Sequence, residues 1–281
     1  MAPDEQKVKT EDCDPDAQFL LGKKYSAEKN HHAAIKWVRK AAEAGHAKAQ
    51  NLLGVMYAKG EGVEKDTFAA SEWYTLAAEQ GDAQAQYNLG ELYRQGEGVY
   101  KDSYEAARWL KLAAEQGNVF AQNNYGWMCQ HGRGVDKDPR EAVSWYYKAA
   151  RQDAVLAQNN LGCMFANGEG TVKDDNEAIK WFRLAAEKGS APAQCNLAKM
   201  LRYGEGTPKN LPEAYEWYLK AALQGYIKAQ VGLGWMFANG EGVDKDIKEA
   251  IMWYKKAAEQ GSKAAIACLA RIPEAQTAQW K

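Results

Sequence analysis

Asparagine side chains recur at a fixed interval of 36 residues, at Asn88, Asn124, Asn160 and Asn196. An asparagine amide carries two donors and an acceptor, so a ladder of such amides is suited to pairing with the backbone of an extended peptide. Side chains three and seven positions further on share the same helical face. They include Glu91, Trp127, His131, Asn167, Lys199, Tyr203, Trp235 and Asn239. Exposed aromatic residues in such a set are typical interface anchors, and we predict that these twelve residues bind a partner.

A structural role for the same residues is the alternative. The asparagines could instead bond to neighbouring helices or loop carbonyls, with Trp127 and Trp235 filling gaps between repeats. A double substitution, Asn124→Ala with Asn160→Ala, separates the two interpretations. An unchanged partner affinity with a lowered melting temperature would contradict the binding role.

Three further patterns carry potential chemistry, and we interpret each as structural. Ser26-Ala-Glu-Lys29 matches a Ser-x-x-Lys nucleophile motif but lacks the companion motifs of penicillin-recognising enzymes. Glycine loops such as Gly96-Glu-Gly-Val lack the Gly-Lys-Ser/Thr ending of a phosphate-binding loop. Four histidines show no metal-ligand spacing, at positions His31, His32, His46 and His131. We therefore expect no catalytic residue, no metal and no cofactor.

The elements that position these residues follow from a ladder of seven tryptophans, each 36 residues from the next. They are Trp37, Trp73, Trp109, Trp145, Trp181, Trp217 and Trp253. Such a fixed period is typical of repeat proteins, in which each repeat buries its apolar face only against its neighbours. Trp127 and Trp235 fall outside this ladder, and we expect function to lie with them.

Each repeat reads as two helices joined by a glycine loop. In the first helix apolar residues follow the i, i+4, i+7, i+8 stripe, as in Ala85, Leu89, Leu92 and Tyr93. A glycine recurs five residues after the first alanine of this stripe, as Gly90 does after Ala85, and it predicts close approach of another backbone there. The second helix opens with Asp or Asn followed three residues later by Glu, which predicts a reciprocal capping box. It closes at glycine except at Asp153, where we expect a weaker cap.

The ends of the chain differ from the repeats. Residues 1–16 are polar with two prolines, and we predict a disordered leader. The repeat array is predicted over 17–272, with an atypical first repeat that lacks the glycine loop and a final lone first helix. Residues 273–281 are predicted to form a tail or a cap in which Trp280 covers the last repeat.

Composition limits the function. The net charge is −1, so no overall basic field exists to bind nucleic acid or an anionic membrane. The chain contains no apolar run of transmembrane length and no signal-like N-terminus. Five cysteines without a recurring pair indicate reduced thiols, so we expect a cytoplasmic protein. We also expect a monomer without membrane insertion. Cys163 and Cys195 fall on neighbouring first helices and could approach each other.

The motifs Leu-Gly-x-x-Tyr, Gly-x-Gly-Val-x-x-Asp, Ala-x-x-Trp-Tyr and Ala-Ala-x-x-Gly resemble the Sel1-like repeat family, which is related to tetratricopeptide repeats. The resemblance implies an all-α fold, a right-handed α/α superhelical solenoid of about seven 36-residue helix-turn-helix repeats plus a terminal helix. It also implies that the first helices line the concave face.

The resemblance further implies a non-catalytic scaffold or adaptor that binds a peptide or protein along that face. Two alternatives remain open at the level of sequence. One is an immunity-type or regulatory inhibitor that occludes a target enzyme. The other is a hydrolase acting on β-lactams or cell-wall material.

Overall fold

The structure, a computed structural model, describes residues 14–272 and is all-α in that range. The first helices of the repeats are α1 (Pro15–Ala27), α3 (Ala47–Lys59), α5 (Ala83–Gln95), α7 (Val119–His131), α9 (Val155–Asn167), α11 (Ala191–Tyr203), α13 (Ile227–Asn239) and α15 (Lys263–Ala270). The second helices are α2 (His31–Glu43), α4 (Thr67–Glu79), α6 (Ser103–Glu115), α8 (Pro139–Ala150), α10 (Asp175–Glu187), α12 (Leu211–Leu223) and α14 (Ile247–Glu259).

The chain divides into two compact units, Met1–Trp145 and Tyr146–Lys281. Within each unit a first helix packs against the second helix of its own repeat, and that second helix packs against the next first helix. This succession of helical hairpins confirms the predicted all-α, α/α solenoid class. Residues 1–13 of the predicted leader and the tail over 273–281, including Trp280, lie outside the described residues. The last residues of the predicted leader are helical, because α1 begins at Pro15.

The N-caps of the second helices form only half of the predicted capping box. The Asp102 side chain accepts hydrogen bonds from the backbone N–H groups of Tyr104 and Glu105. The prediction of a reciprocal bond, in which the N-cap N–H donates to the glutamate carboxylate, was wrong. The Asp102 N–H instead donates to the Tyr93 carbonyl at the end of the preceding helix, at 3.0 Å. The same backbone bond recurs at Asp66, Asp138, Asp174, Asn210 and Asp246.

The glutamate that the capping box would have used is therefore free to bind elsewhere. Glu141 Oε1 accepts from the Trp145 indole Nε1 at 3.1 Å, and Glu213 Oε1 accepts from Trp217 Nε1 at 3.2 Å. An indole N–H needs an acceptor when it is removed from water. In these two repeats the sequence spacing Glu-x-x-x-Trp thus places a carboxylate one helical turn before the tryptophan that it satisfies.

The recurrent glycine of the first helices, such as Gly90 in α5, makes room for a side chain of the second helix. A Cβ on Gly90 would lie 2.8 Å from Leu110 Cγ, and one on Gly162 would lie 2.7 Å from the Phe182 ring. The nearest backbone atom to Gly90, the Ala106 carbonyl oxygen, would be further away at 3.3 Å. The predicted close approach of another backbone is therefore present, but the side chain of the residue after the ladder tryptophan comes closer still and fills that space.

That following residue forms the centre of each hairpin. Leu110 and Tyr146 are fully buried, and Phe182 and Tyr254 are nearly so. Among the ladder tryptophans Trp109, Trp145 and Trp253 are buried, whereas Trp37, Trp73, Trp181 and Trp217 are only half-buried. Several rings carry a cation over one face, as Lys220 Nζ does 4.1 Å from the Trp217 centroid. The tryptophans therefore seal the edge of the core, and their neighbours fill it.

One repeat exchanges the position of its glycine. In α11 the recurrent glycine is replaced by Ala198, and Tyr218 of α12 packs in the same core cluster. The following first helix, α13, has Gly232 two residues before its own recurrent glycine, and a Cβ on Gly232 would lie 2.8 Å from the Tyr218 ring. Ala198 and Gly232 are thus coupled departures from the repeat, because the space that Tyr218 needs comes from the next helix.

Buried glutamines link successive repeats by hydrogen bonds, and they were not among the predicted functional residues. Gln86 Nε2 donates to the Ala78 carbonyl of the preceding helix at 3.1 Å, and its Oε1 accepts from Gln116 Nε2 at 2.8 Å. Equivalent glutamines occupy the second position of the stripe at Gln50, Gln122, Gln158, Gln194 and Gln230. Recurrence of one polar residue type beside an apolar stripe was the signal for this network.

The network is altered where Asp153 replaces the closing glycine. Asp153 adopts φ 66°, the left-handed conformation that glycine favours and that aspartate tolerates. Lys188 stands where other repeats have the Gln116-type partner, and its Nζ bonds the Asp153 carboxylate instead. This bond lowers the pKa of Asp153. As a result Gln158 Oε1 has no hydrogen-bond partner.

Candidate functional site

The predicted asparagine ladder lies on the first helices, where the structure gives its amides partners within the protein. Asn88 Nδ2 donates to Asn51 Oδ1 at 2.9 Å, and Asn88 Oδ1 accepts from Gln84 Nε2 at 3.0 Å. Asn51 belongs to α3 and Asn88 to α5, so this bond joins successive repeats. All of these residues are in the first unit.

Asn124 makes a similar contact to a charged group. Its Nδ2 donates to Glu91 Oε1 at 2.9 Å, and its Oδ1 accepts from Asn123. Glu91 also binds Arg94 in two-pronged geometry, with Arg94 Nη2 2.6 Å and Nε 3.0 Å from its oxygens. The hydrogen bond to Glu91 raises the pKa of Arg94 above its ordinary value, so the guanidinium stays charged. Asn124, Glu91 and Arg94 therefore form one polar network.

Trp127 stands beside this network with part of its ring in solvent. Its side chain is 41% exposed. The His131 ring stacks on it at 4.3 Å between centroids, and His131 Nδ1 lies 2.9 Å from the Trp127 carbonyl oxygen. Trp127, Arg94, Asn123 and Asn124 line a cleft of ≈ 230 Å³. In the first unit the structure thus brings Glu91, Asn124, Trp127 and His131 together.

In the second unit the asparagines are again half-buried. Asn196 Nδ2 donates to Asn159 Oδ1 at 3.0 Å and lies 3.7 Å from Cys163 Sγ. Asn160 is half-buried as well, whereas Asn167 and Lys199 are exposed. Tyr203 is exposed and has the Arg202 guanidinium carbon 5.0 Å from its ring centroid.

Trp235 rests on a buried arginine. The Arg202 guanidinium carbon lies 3.7 Å from the Trp235 ring centroid, and Trp235 is 40% exposed. Arg202 is buried and bonds Glu241 Oε2 through Nε and Nη2, each at 2.9 Å. Lys209 Nζ adds a second cation 3.2 Å from Glu241 Oε1. A buried charge is tolerated when it is paired and hydrogen-bonded, as it is here. Asn239 donates to the Trp235 carbonyl at 2.8 Å.

The two tryptophans share a sequence signal that the repeat comparison did not use. Arg94 precedes Trp127, and Arg202 precedes Trp235, by the same number of residues. Each pair therefore occupies equal positions on two successive first helices, one pair in each unit. The arginines could have been identified from the sequence, because an arginine and a tryptophan that both depart from the repeat consensus recur together at this spacing.

The thiols of the described residues are free at Cys129, Cys163, Cys195 and Cys268. Burial raises the pKa of the Cys195 thiol to about 12, and burial likewise raises the pKa of Cys129 to about 12. Burial also raises the pKa of Cys163. A thiol is nucleophilic only as the thiolate, so these groups are inert near neutral pH.

The other motifs with potential chemistry have structural surroundings. Ser26 and Lys29 mark the end of α1, where the Lys29 N–H donates to the Ser26 carbonyl and Lys29 adopts φ 59°. Residues 14–272 contain no group of three or more His, Cys, Asp or Glu side chains arranged to hold a metal ion. In the same range no helix is long and apolar enough to cross a membrane.

Over residues 14–272 the structure has fifteen helices in hairpin succession, with polar and aromatic clusters on the first helices, and this arrangement defines a protein of the α/α repeat class. The model of the Sel1 repeat matches residues 15–46, 47–82, 83–118, 119–153, 155–190, 191–226 and 227–262. The chain belongs to the Sel1 repeat family. Proteins of this family are generally protein-interaction scaffolds and are typically non-catalytic.

Solved structures with this fold support the assignment. The chain is similar to c5321, a protective antigen of uropathogenic Escherichia coli, with 36% identity and a TM-score of 0.84 over 94% of this chain. It spans 58% of the length of that protein. A Sel1 repeat protein from Oxalobacter formigenes is 34% identical with a TM-score of 0.78, over 85% of this chain and 96% of that one. Among curated proteins none matches this chain.

Proposed function

We propose that this protein is a non-catalytic scaffold or adaptor that binds a peptide or partner protein on the face formed by its first helices. Trp127 is the anchor in the first unit, and Trp235 is the anchor in the second. Family membership supports the class of function, and the surroundings of these two residues support the location.

The single observation that carries the location is the contrast in exposure between tryptophans. Trp127 is 41% and Trp235 is 40% exposed, whereas Trp109 of the ladder is 5% exposed. The ladder tryptophans have a defined packing role in the hairpin edge, whereas Trp127 and Trp235 share a first-helix position that carries Glu91, Cys163 and Lys199 in other repeats. Aromatic side chains held rigidly at a surface give large contact area at low entropic cost on binding.

The asparagines have a different part in this proposal from the aromatic residues. Asn88, Asn124 and Asn196 use their Nδ2 groups within the protein. They support the binding face by fixing successive first helices, and Asn124 lines the cleft beside Trp127. His131 and Arg202 hold the ring planes of Trp127 and Trp235 by stacking. A preorganised aromatic surface loses little freedom when a partner binds.

We further propose that the protein acts as a monomer in the cytoplasm and binds protein rather than nucleic acid. The nearly balanced charge, with 36 basic and 37 acidic residues, supports protein over nucleic acid as the partner. The free thiols of the described residues support a reducing compartment.

Affinity purification with a matched pair of variants tests the proposal. The binding variant is Trp127→Ala with Trp235→Ala. The control variant is Leu112→Ala with Leu184→Ala, which removes partly exposed apolar side chains from second helices, one in each unit. Proteins retained by wild type and control but lost from the binding variant are identified by mass spectrometry. Their affinities are then measured by calorimetry with purified components.

We expect the binding variant to weaken the partner at least about tenfold with a native circular dichroism spectrum. A partner that binds both variants equally would contradict the assignment of the first-helix face. A captured enzyme that binds one-to-one and loses its activity would instead favour the regulatory inhibitor.

A further inference from the structure

Aromatic side chains form a second exposed cluster in the first unit, on a glycine loop rather than on the first-helix face. Tyr100 is 97% exposed and Phe68 is 62% exposed. Tyr104, on the first turn of α6, is 78% exposed. Phe68 and Tyr100 line one cleft of ≈ 770 Å³ together with Tyr93, Val99 and Lys101. We call Phe68, Tyr93, Tyr100 and Lys101 the loop cleft.

Close packing of the loop against the preceding repeat brings these side chains together. Gly98 lies against the Thr67 carbonyl and the Phe68 N–H so closely that a Cβ could not be added. Gly96 and Gly98 both have positive φ, which lets the loop turn over the start of α4. The ring of Phe68, from one repeat, and the ring of Tyr100, from the next, are thereby placed on the same cleft.

The repeat pattern does not require these aromatic residues. At the position of Tyr100 the other full repeats have Glu64, Asp136, Val172, Pro208 and Asp244. At the position of Phe68 and Tyr104 the remaining four have Arg140, Asn176, Pro212 and Lys248. Since polar residues serve the same fold at several of these positions, the exposed aromatic side chains of Phe68 and Tyr100 have a role other than folding.

We propose that the loop cleft binds a proline-rich segment of a partner protein that carries acidic residues beside its prolines. Proline-rich segments adopt the polyproline II conformation, which is preformed and docks into aromatic-lined grooves. The backbone carbonyls of such a segment have no internal partners, and the Tyr100 hydroxyl can donate to one of them.

The charge of the loop cleft selects the flanking residues. Lys101 lines the cleft, is exposed, and forms no ion pair with the residues that the structure describes. Asp102 also lines the cleft, but its carboxylate caps α6 by accepting two backbone N–H groups. Lys101 is therefore the exposed charge beside the rings, and it complements an acidic ligand.

The probe for the test is a fluorescein-labelled octaproline peptide with a glutamate at each end. Its binding to the full chain is followed by fluorescence polarisation. Two comparison peptides separate the contributions, one with lysine at each end and one with glutamates flanking a serine-glycine sequence. The protein variants take residues that the chain itself uses at the same positions, namely Tyr100→Asp and Phe68→Asn. Lys101→Ala is matched by Lys245→Ala, the equivalent lysine of another loop.

We expect saturable binding of one octaproline peptide per chain and no comparable binding of the serine-glycine peptide. Tyr100→Asp and Phe68→Asn should each weaken binding about tenfold with unchanged circular dichroism. Lys101→Ala should weaken it severalfold and reduce its salt dependence, while Lys245→Ala and Trp127→Ala leave it unchanged. Preference for the lysine-ended peptide would overturn the charge assignment.

The proposal is overturned if the octaproline peptide does not bind, or if Tyr100→Asp binds it as wild type does. Sedimentation velocity addresses the remaining occupant of an aromatic surface, a second copy of the chain. Self-association that Tyr100→Asp abolishes would also overturn the proposal, because the loop cleft would then be a homodimer interface.

Discussion

The bond between Asn124 and Glu91 allows a quantitative test of how the first-helix face is held. Asn124→Ala removes the 2.9 Å bond from Nδ2 to Glu91 Oε1. A hydrogen bond to a charged group contributes about 1.5–3 kcal/mol, and Glu91 retains Arg94 and Gln95 as donors. We therefore expect a loss at or just below the lower end of that range, about 1–1.5 kcal/mol in the free energy of unfolding.

Asn124→Asp gives a larger effect with a defined sign. It replaces the donor with a carboxylate facing Glu91, and like charges at such distances repel by about 1–4 kcal/mol before Arg94 offsets part of this. The pKa of the introduced aspartate is raised above its usual value near 4 by the neighbouring charge. Protonation then restores a donor toward Glu91. The penalty of Asn124→Asp relative to Asn124→Ala should thus be present at about pH 7 and vanish as the pH falls below about 4.

Urea denaturation followed by far-UV circular dichroism measures both variants at the two pH values. Asn167→Ala is the matched control, because Asn167 is an exposed asparagine on another first helix, and it should change stability by less than about 0.5 kcal/mol. The reasoning is refuted if Asn124→Ala is as stable as wild type and Asn124→Asp is no less stable than Asn124→Ala at neutral pH.

Three further predictions concern packing and thiol reactivity. Gly90→Ala should destabilise by about 1–3 kcal/mol in thermal or chemical denaturation, since its Cβ would lie 2.8 Å from buried Leu110; a wild-type midpoint would show that the helices separate freely. Gly232→Ala should also destabilise, and the addition of Ala198→Gly should recover part of the loss by giving Tyr218 its usual space; strict additivity in the double-mutant cycle would disprove the coupling. Iodoacetamide near pH 8 should leave Cys195 unmodified until urea unfolds the chain, because burial raises its pKa to about 12; rapid native labelling seen by peptide mass spectrometry would contradict this.

The regular part of the fold can be predicted from the sequence because the same residue pattern recurs in seven repeats. Helical periodicity, N-cap aspartates and closing glycines predict the hairpins, and the described helices occupy those positions. The partners of individual side chains were less predictable. Periodicity places Asn124 on a face but does not tell whether its amide meets Glu91 or a ligand. The capping glutamate was assigned to a backbone N–H that the preceding helix already satisfies.

The site was harder to predict than the fold because its residues are departures from the repeat. Trp127 and Trp235 were identified since they fall outside the ladder, and their function as anchors stays a prediction. Arg202 escaped notice because a single arginine in a helix is usually a surface residue, and only the three-dimensional arrangement shows its burial beneath Trp235. The loop cleft depends on contact between residues of two repeats, which no single repeat contains.

The buried glutamine network has a mechanical consequence. A glutamine with both bonds, such as Gln86, links three helices of two successive repeats, so separating two repeats under tension requires breaking a set of shielded bonds together. Gln194 has the full set, whereas Gln158 lacks a partner for Oε1. Within the second unit, we therefore expect a single molecule under tension to break the helix contacts around Gln158 at a lower force than those around Gln194. The order in which these two contacts break is set by Lys188, which stands in place of a glutamine.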